Sequence, residues 1–187
     1  MSANSEAWPR PHRLTVDDYY RMAEAGLLSP DDRTELIEGE ILDMPPIGSR
    51  HAAIVTAVCE RLIRAVDDSV QVRSQAPVRF APRSETQPDI ALVKRRADGY
   101  RTTHPTAADV LLIVEVSEST LRFDLGVKSR LYAMHGIPEY WVVDLLGNRV
   151  CRHRRPSGTS YVERDDVSAG ALPLPLPGIE IEIGDLF

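Results

Sequence analysis

The sequence predicts an α/β (α+β) fold in which a mixed β-sheet forms the core and helices flank it. Three patterns support this class. Apolar residues recur at three-and-four spacing in residues 49–66 and along residues 124–135, as in amphipathic helices. Residues 70–80 alternate between apolar and polar side chains, which indicates a half-buried strand. Residues 110–116 are almost continuously apolar, which is typical of a central strand covered on both faces.

Composition and charge limit the class of protein. The chain of 187 residues fits one domain, and its 43% hydrophobic and 27% charged residues are ordinary for a soluble globular protein. A net charge of −6 argues against a dedicated DNA-binding protein, which usually presents a basic surface. No apolar run approaches the roughly 20 residues that span a bilayer, and the N-terminus lacks the apolar stretch of a secretory signal. We expect a cytoplasmic protein with no membrane partner, a flexible N-terminal arm over residues 1–13 and a single domain over residues 14–187.

Capping and periodicity signals predict an added helix and strand segment near the N-terminus. Thr15 and Asp18 are spaced as in a capping box, so we expect a short helix over about residues 15–25. Residues 35–42 are predicted to form a strand or tight hairpin. The strand over residues 70–80 should place one set of side chains on its buried face, Val70, Val72, Val78 and Phe80, and another on the opposite face, Arg73, Gln75 and Arg79.

The C-terminal half is predicted to combine strands with one helix and a C-terminal β-hairpin. Gly136 and Pro138 should end the helix. The hairpin carries a basic strip at residues 149–155, for which we favour a solvated face over a phosphate-contacting surface. In chain order, the expected elements are a strand over 88–93, a loop over 95–109, a strand over 110–116, a helix over 124–135, a strand over 139–145, a hairpin over 149–155 and 159–164, and a strand over 179–183.

Two carboxylates beside apolar strands are the first candidates for chemistry. Glu115 interrupts the central strand, and an unpaired buried carboxylate costs several kcal/mol, so it needs a cation, a donor network or a proton. A Glu at a strand end that reaches solvent is an equal alternative. Asp89 starts the strand after Pro88, although Pro-Asp is also a common turn pair. If the two strands are neighbours, both carboxylates could converge on one hard cation such as Mg²⁺.

Lys128 is the third candidate. It lies in the first turns of the helix that follows the Glu115 strand. Asp124 and Lys128 are spaced i,i+4, so a surface ion pair worth about 0.3–0.5 kcal/mol is the preferred interpretation of Lys128 taken alone.

Taken together, these residues resemble the Uma2 family (DUF820), which is assigned to the PD-(D/E)xK restriction-endonuclease-like superfamily. The resemblance covers about residues 12–187. It is carried by Pro88-Asp89, Glu115-Val116-Ser117, Asp124, Lys128, Tyr132, Gly136 and Glu139-Tyr140-Trp141, and also by residues 35–40, His51 and residues 178–187.

The resemblance implies a restriction-endonuclease-like core in which Asp89 and Glu115 bind a divalent metal, Mg²⁺ or Mn²⁺, and Lys128 assists. The backbone carbonyl of Val116 would complete the coordination. The sequence departs from the superfamily at Ser117, because the usual lysine lies there on the same strand. Lys128 would replace it from the next helix, either to orient or deprotonate the attacking water or to stabilise developing charge.

Further residues are possible auxiliaries of this site. His51 could be a ligand or support one, or be a helix-terminal hydrogen-bonding histidine. For Glu35 a salt bridge with Arg33 or Arg50 is favoured over a ligand role. Gln75 could contact the site or lie in solvent, and Tyr132 is expected to serve packing.

The predicted function is a metal-dependent endonuclease that hydrolyses phosphodiester bonds of nucleic acid, DNA in the first instance. The alternative is a non-catalytic binding or assembly module on a degenerate nuclease fold, and metal-assisted hydrolysis of a small molecule is a weaker one. A homodimer is expected by analogy with nucleases that cut both strands. The sequence has no Walker phosphate loop and no Gly-x-Ser-x-Gly, which argues against P-loop and serine-hydrolase chemistry.

Overall fold

The computed structural model describes residues 10–29 and 31–187, so most of the predicted arm over residues 1–13 lies outside the described residues. Helix α1, Val16–Glu24, begins at the predicted capping box, in which Thr15 and Asp18 each accept a hydrogen bond from the backbone N–H of the other. The predicted capping is therefore confirmed.

A four-stranded antiparallel sheet follows, in the order β2-β1-β5-β4. The predicted hairpin over residues 35–42 is confirmed as β1, Thr34–Ile37, and β2, Glu40–Asp43, and the other strands are β4, Val78–Phe80, and β5, Ser84–Thr86. All four residues of β1 are buried. This small sheet therefore forms one wall of the interior and carries Glu35 into it.

The core is a six-stranded mixed sheet in the order β10-β9-β8-β7-β6-β3. Strands β7 and β8 are parallel and central, and the other neighbours are antiparallel. The bounds are β3, Val70–Ser74; β6, Ile90–Lys94; β7, Val110–Ser117; β8, Glu139–Asp144; β9, Arg149–Ser157; and β10, Ser160–Val167. The predicted mixed sheet and its C-terminal hairpin are confirmed.

Helices cover both faces of this sheet. Helix α2, Ser49–Ala65, buries Val55, Val58 and Leu62 against one face. The helical segment after β7 is called α3 below. It joins α-helical Leu121–Phe123, π-helical Asp124–Lys128 and α-helical Ser129–Met134. Its last part packs on the opposite face. The prediction for the β7 segment, a central strand covered on both faces, is confirmed, while the predicted start of α3 at Asp124 is three residues late.

The prediction of one strand over residues 70–80 is wrong. Strand β3 belongs to the large sheet and β4 to the small one, so the valines do not share a face. Between them Gln75 has a left-handed backbone, with φ 47°, and Pro77 lacks the N–H that a continuing ladder requires. Alternation alone cannot detect a chain that leaves one sheet and enters another.

Short strands of the structure escaped prediction. Strand β5 is Ser-Glu-Thr, three polar residues that are all buried, so hydrophobic periodicity gave no signal. The predicted last strand is β12, Glu180–Glu182, and it pairs with β11, Ala171–Pro173, in a separate two-stranded sheet. Within the described ranges, no helix is both long and apolar enough to cross a membrane.

The basic strip of the β9–β10 hairpin is neutralised by its own partner strand. Arg149 pairs with Asp166, Arg152 with Asp165, and Arg155 with Glu163. Arg149 and Arg155 are 41% and 72% exposed, as the solvated interpretation predicted, but Arg152 is only 11% exposed and His153 of the same strip is buried.

Candidate functional site

The register of β6 and β7 brings the two candidate carboxylates together. Ile90 pairs with Val114, so Asp89 and Glu115 lie side by side just beyond the start of β6. Oδ2 of Asp89 accepts a hydrogen bond from the Val116 N–H at 2.8 Å, and the Asp89 N–H lies 3.4 Å from Oε2 of Glu115. Both side chains line one cavity of about 90 Å³.

Lys128 enters the same cavity from α3. Its ammonium donates to Oε1 of Glu115 at 2.9 Å and to Oε1 of Glu35 at 3.1 Å, and only 4% of Lys128 is exposed. The predicted surface ion pair with Asp124 is therefore wrong. Asp124 is also buried and instead accepts hydrogen bonds from the hydroxyls of Ser117 and Thr120, both at 2.6 Å.

Glu35 is part of the cluster, and its predicted salt bridge with Arg33 or Arg50 is wrong. Besides Lys128, its Oε1 accepts the Gln87 N–H at 2.8 Å. Its Oε2 is buried without a hydrogen-bond partner among the described residues. A buried carboxylate oxygen without a partner is unfavourable, so this atom is available to a cation or a donor that enters the cavity.

Tyr132 contributes a hydrogen bond as well as packing, which the sequence interpretation missed. Its hydroxyl donates to Oε1 of Glu115 at 2.8 Å and lies 3.1 Å from the hydroxyl of Thr86. The missed signal was spacing, because residues four apart on a helix share a face and Tyr132 follows Lys128 by four. Tyr132 and Thr86 together fix the orientation of the Glu115 carboxylate.

Of the other two predicted auxiliaries, His51 lies at the cavity and the Gln75 side chain lies outside it. His51, in the first turn of α2, places Nε2 2.9 Å from Oδ2 of Asp89. Gln75 is exposed and does not line the cavity, although its backbone N–H donates to the Asp89 carbonyl at 3.0 Å. The structure thus brings His51 to the site and leaves the Gln75 side chain outside it.

The carbonyl of Val116 lies at the same end of the sheet. Continuing the observed register from Ile90 and Val114 places Pro88 opposite Val116. A proline has no N–H to donate, so this position of the ladder offers the Val116 carbonyl no backbone hydrogen bond from Pro88. The carbonyl therefore lies beside Asp89 and Glu115 without a backbone donor from Pro88.

Burial dominates the electrostatics of the cluster. Burial raises the pKa of Glu115 above its usual value, against the opposing charge of Lys128. Burial also raises the pKa of Asp89, opposed by the Val116 N–H and His51. Burial alone would lower the pKa of Lys128, but Glu115 and Glu35 outweigh it and raise that pKa above its usual value. Lys128 is therefore a cation stabilised by carboxylates, and the side chains that line the cavity include more carboxylates than cations.

The donor set fits a hard divalent cation with a small protein share of ligands. No group of three or more His, Cys, Asp or Glu side chains in the described part of the chain is arranged as a metal cage. Mg²⁺ is usually held by only one or two carboxylates and keeps several waters. Asp89 and Glu115 place two carboxylates in the lining of one cavity, and the unpartnered Oε2 of Glu35 belongs to the same lining.

Comparisons with known proteins give a consistent picture of the fold. The profile of the Uma2 family, described as "Putative restriction endonuclease", matches residues 16–184. A crystal structure described as "a putative nuclease belonging to DUF820 from Anabaena variabilis" superposes with a TM-score of 0.73 at 20% identity, over 93% of this chain and 97% of that one. No curated protein matches the sequence. Because the family profile spans nearly the whole of the described domain, the chain belongs to the Uma2 family.

Proposed function

We propose that this protein is a divalent-metal-dependent nuclease that hydrolyses phosphodiester bonds of nucleic acid, with DNA as the first substrate to test. The observation that carries the proposal is the meeting of Asp89, Glu115 and the Lys128 ammonium in one cavity, although they come from separate segments. The family description and the DUF820 neighbour, named as a nuclease, support the same reaction class.

Asp89, Glu115 and the Val116 carbonyl would hold Mg²⁺ or Mn²⁺, with Glu35 beside them. When bound, the cation would neutralise charge on the phosphate and lower the pKa of a coordinated water. Because His51 bonds Asp89 while Tyr132 and Lys128 bond Glu115, the ligand side chains are already oriented.

Lys128 is assigned the role of a hydrogen-bond donor rather than a base. Its raised pKa keeps the ammonium protonated, so it cannot take a proton from water at neutral pH. From its position beside Glu115 it can donate to a phosphate oxygen as negative charge develops there. Replacing it with an uncharged side chain would remove that stabilisation.

Cleavage assays test the proposal directly. Wild type is incubated with duplex DNA, single-stranded DNA and RNA, each with Mg²⁺, Mn²⁺ or EDTA. We expect metal-dependent cleavage that falls at least about 100-fold in Asp89→Asn and Glu115→Gln. Glu180→Gln, an isosteric change at an exposed position of β12, is the matched control and should retain activity. Cleavage in EDTA, or full activity of Glu115→Gln, would contradict the proposal.

A non-catalytic binding module is the second candidate, and one observation favours it. Lys128 already compensates the charge of Glu115 through a direct ion pair, so that carboxylate is satisfied without a metal. Calorimetric titration with Mn²⁺ separates the candidates. A nuclease should bind Mn²⁺ and lose the binding in Asp89→Asn, whereas the binding module should show no Mn²⁺ heat and no cleavage.

Two catalytic centres can cut both strands of a duplex in one binding event, so the proposal includes a homodimer; it also places the protein in the cytoplasm, where DNA and RNA substrates are present. Sedimentation of the wild type with and without duplex DNA measures this. If the protein is a monomer at all concentrations and nicks only one strand, the dimer part of the proposal is wrong and the proposed hydrolysis still stands.

A further inference from the structure

A second cleft lies apart from the candidate active site and shares no lining residue with it. Its volume is about 430 Å³. Helix α1, strand β4 and the loop between β6 and β7 form it. Its lining residues are Tyr20, Arg79, Arg96, Tyr100, Arg101, Thr102, Thr103, His104 and Thr106.

The lining is made of hydrogen-bond donors. Each of the nine side chains carries an N–H or O–H group, and none is a carboxylate, in a protein whose net charge is −6. The nearby carboxylates pair with side chains of the cleft's own lining. Glu85 is 4% exposed and bonds both Arg79 and Tyr20, while Asp98 pairs with Arg96. The donors that remain for a ligand are the unused N–H groups of these two arginines and the Arg101 side chain, which has no carboxylate partner.

The loop that forms the cleft is held in place by its own contacts. The Arg79 N–H donates to the Pro105 carbonyl at 2.8 Å, which ties the loop to β4. Tyr100 is 6% exposed, and its hydroxyl donates to the Lys94 carbonyl at 2.6 Å. The guanidinium of Arg96 stacks on the Tyr100 ring at 4.6 Å. A cleft preformed in this way loses little conformational entropy when a ligand binds.

Several of these donors have no acceptor of their own. Nδ1 of His104 is buried without a hydrogen-bond partner in the part of the chain that the structure describes. The side chain of Arg101 is exposed and makes no ion pair or hydrogen bond with any described residue. Arg79 uses its Nε for Glu85, and a guanidinium has five N–H groups in all. An anion with several oxygens would accept hydrogen bonds from the free arginine N–H groups, and from Nδ1 of His104 in the tautomer that carries its proton there.

We infer that this cleft binds the phosphate group of a nucleotide, either free or within a nucleic-acid strand. Arginines that converge on one cleft and keep free N–H groups beside their carboxylate partners recognise phosphate by charge-assisted hydrogen bonds. The volume lies within the range of about 300–1,000 Å³ for small-molecule sites, which leaves room for the attached sugar and base. The inference goes beyond catalysis and needs no metal.

Binding is measured by calorimetry in EDTA at low salt, with adenosine 5′-monophosphate, inorganic phosphate and a single strand of roughly ten nucleotides as probes. Wild type should bind at least one of the two nucleotide probes. Arg101→Ala should weaken that binding about tenfold, because one charge-assisted hydrogen bond is lost. Arg96→Ala should weaken it at least as much, and Arg96→Lys should restore part of the affinity because the charge remains.

Arg164→Ala is the matched control, because Arg164 is an exposed arginine on the distant edge strand β10. It should bind as wild type does. Tight binding of the monophosphate identifies a free nucleotide as the ligand, and binding of the strand alone identifies a backbone contact. No binding of either probe, or equal losses in Arg101→Ala and Arg164→Ala, would overturn the inference. Because EDTA removes any metal, failure here is distinct from failure of the nuclease proposal.

Discussion

At the scale of single residues, the Lys128 ammonium is the group on which the buried charges depend. It contacts both Glu115 and Glu35, and all three side chains are at most 5% exposed. Removing one partner of a buried ion pair costs about 3–5 kcal/mol, because the remaining charge keeps its desolvation penalty. We expect Lys128→Met to lower the free energy of unfolding by that amount in urea denaturation.

Two comparisons make this prediction specific. Lys94→Met changes the other lysine of the chain, which is exposed, and should cost about 0.5 kcal/mol or less. Adding Glu35→Gln to Lys128→Met removes one uncompensated carboxylate, so it should recover part of the lost stability. Equal stabilities of Lys128→Met and Lys94→Met would show that the buried pair contributes nothing.

Individual site residues could be predicted only where a local pattern exposed them. Asp89 and Glu115 were identifiable because a carboxylate beside an apolar strand is unusual. Glu35 and Asp124 gave no such signal, since charged neighbours in the sequence offered simple surface partners. Their burial is set by contacts with segments far away in the chain, which a local pattern does not encode.

At the scale of elements, the π-helical turn of α3 sets the position of Lys128. A π-helical turn contains an extra residue, so the helix face shifts between Asp124 and Lys128. This shift lets Asp124 bond Ser117 while Lys128 bonds Glu115. Such turns are often found at functional sites, and hydrophobic periodicity does not distinguish them from an ordinary α-helix.

Deleting Gly126 tests the role of the π-helical turn. The deletion removes the extra residue, so we expect a regular helix with Lys128 turned away from Glu115. Cleavage should be lost and stability should fall, while circular dichroism retains the helical signal. Gly126→Ala is the control, because an added Cβ meets nothing within 4 Å, and it should stabilise the protein by about 0.4–1 kcal/mol. Full activity after the deletion would contradict this role.

The β9–β10 hairpin contains a pH-sensitive residue, His153. It is 4% exposed and packs against the rings of Tyr140 and Tyr161. Burial lowers its pKa below the ordinary 6.5, and Arg164 lowers it further. The unfolded chain therefore binds this proton more readily than the folded protein. The stability that neutral His153 provides is present above pH about 6.5 and is lost as the pH falls through the lower folded pKa.

We expect His153→Phe to lose less stability than wild type between about pH 7.5 and pH 5. The difference between the two proteins is the measured quantity, in thermal melts at each pH. The comparison with wild type is needed because burial raises the pKa of Glu115 and Glu139. Those two groups favour the folded state as the pH falls, which opposes the effect of His153. If the melting temperatures of the two proteins changed equally with pH across this range, His153 would be excluded as a source of acid sensitivity.

The elements themselves were predictable to different degrees for physical reasons. Helix α2 and strand β7 have strong periodicity or a long apolar run, and both were predicted within a few residues. The division between β3 and β4 was not, because both strands keep the same alternation on either side of the turn at Gln75. Alternation reports which side chains are buried, but not in which sheet they are buried.

At the scale of the whole molecule, the site exists only when both sheets and α3 are assembled. The small sheet supplies Glu35, the large sheet supplies Glu115 with Asp89 at its edge, and α3 supplies Lys128. The sequence and the family resemblance could indicate the fold class and most of the acidic residues. They could not show the convergence, which depends on how the two sheets meet.

The charge of the whole molecule predicts how nucleic-acid binding should depend on salt. The net charge is −6, and the basic hairpin strip is paired with acidic residues of β10. The hairpin strip therefore offers few free cations, and we expect only about four phosphate contacts, with Arg101 of the second cleft among them. Proteins that make 6–10 phosphate contacts lose about 10³–10⁵ in affinity between 50 and 200 mM salt. With about four contacts, this protein should lose roughly 100-fold or less.

Fluorescence anisotropy with a labelled duplex, recorded in EDTA across this salt range, measures the slope. Arg101→Ala should make the slope shallower by about one unit if its guanidinium contacts a phosphate. Arg152→Ala, in the paired strip, should leave the slope unchanged because Asp165 already holds that side chain. A steep slope in wild type that Arg152→Ala reduces would instead mean that the hairpin exchanges its internal ion pairs for phosphate, and that the exposed strip is the binding surface.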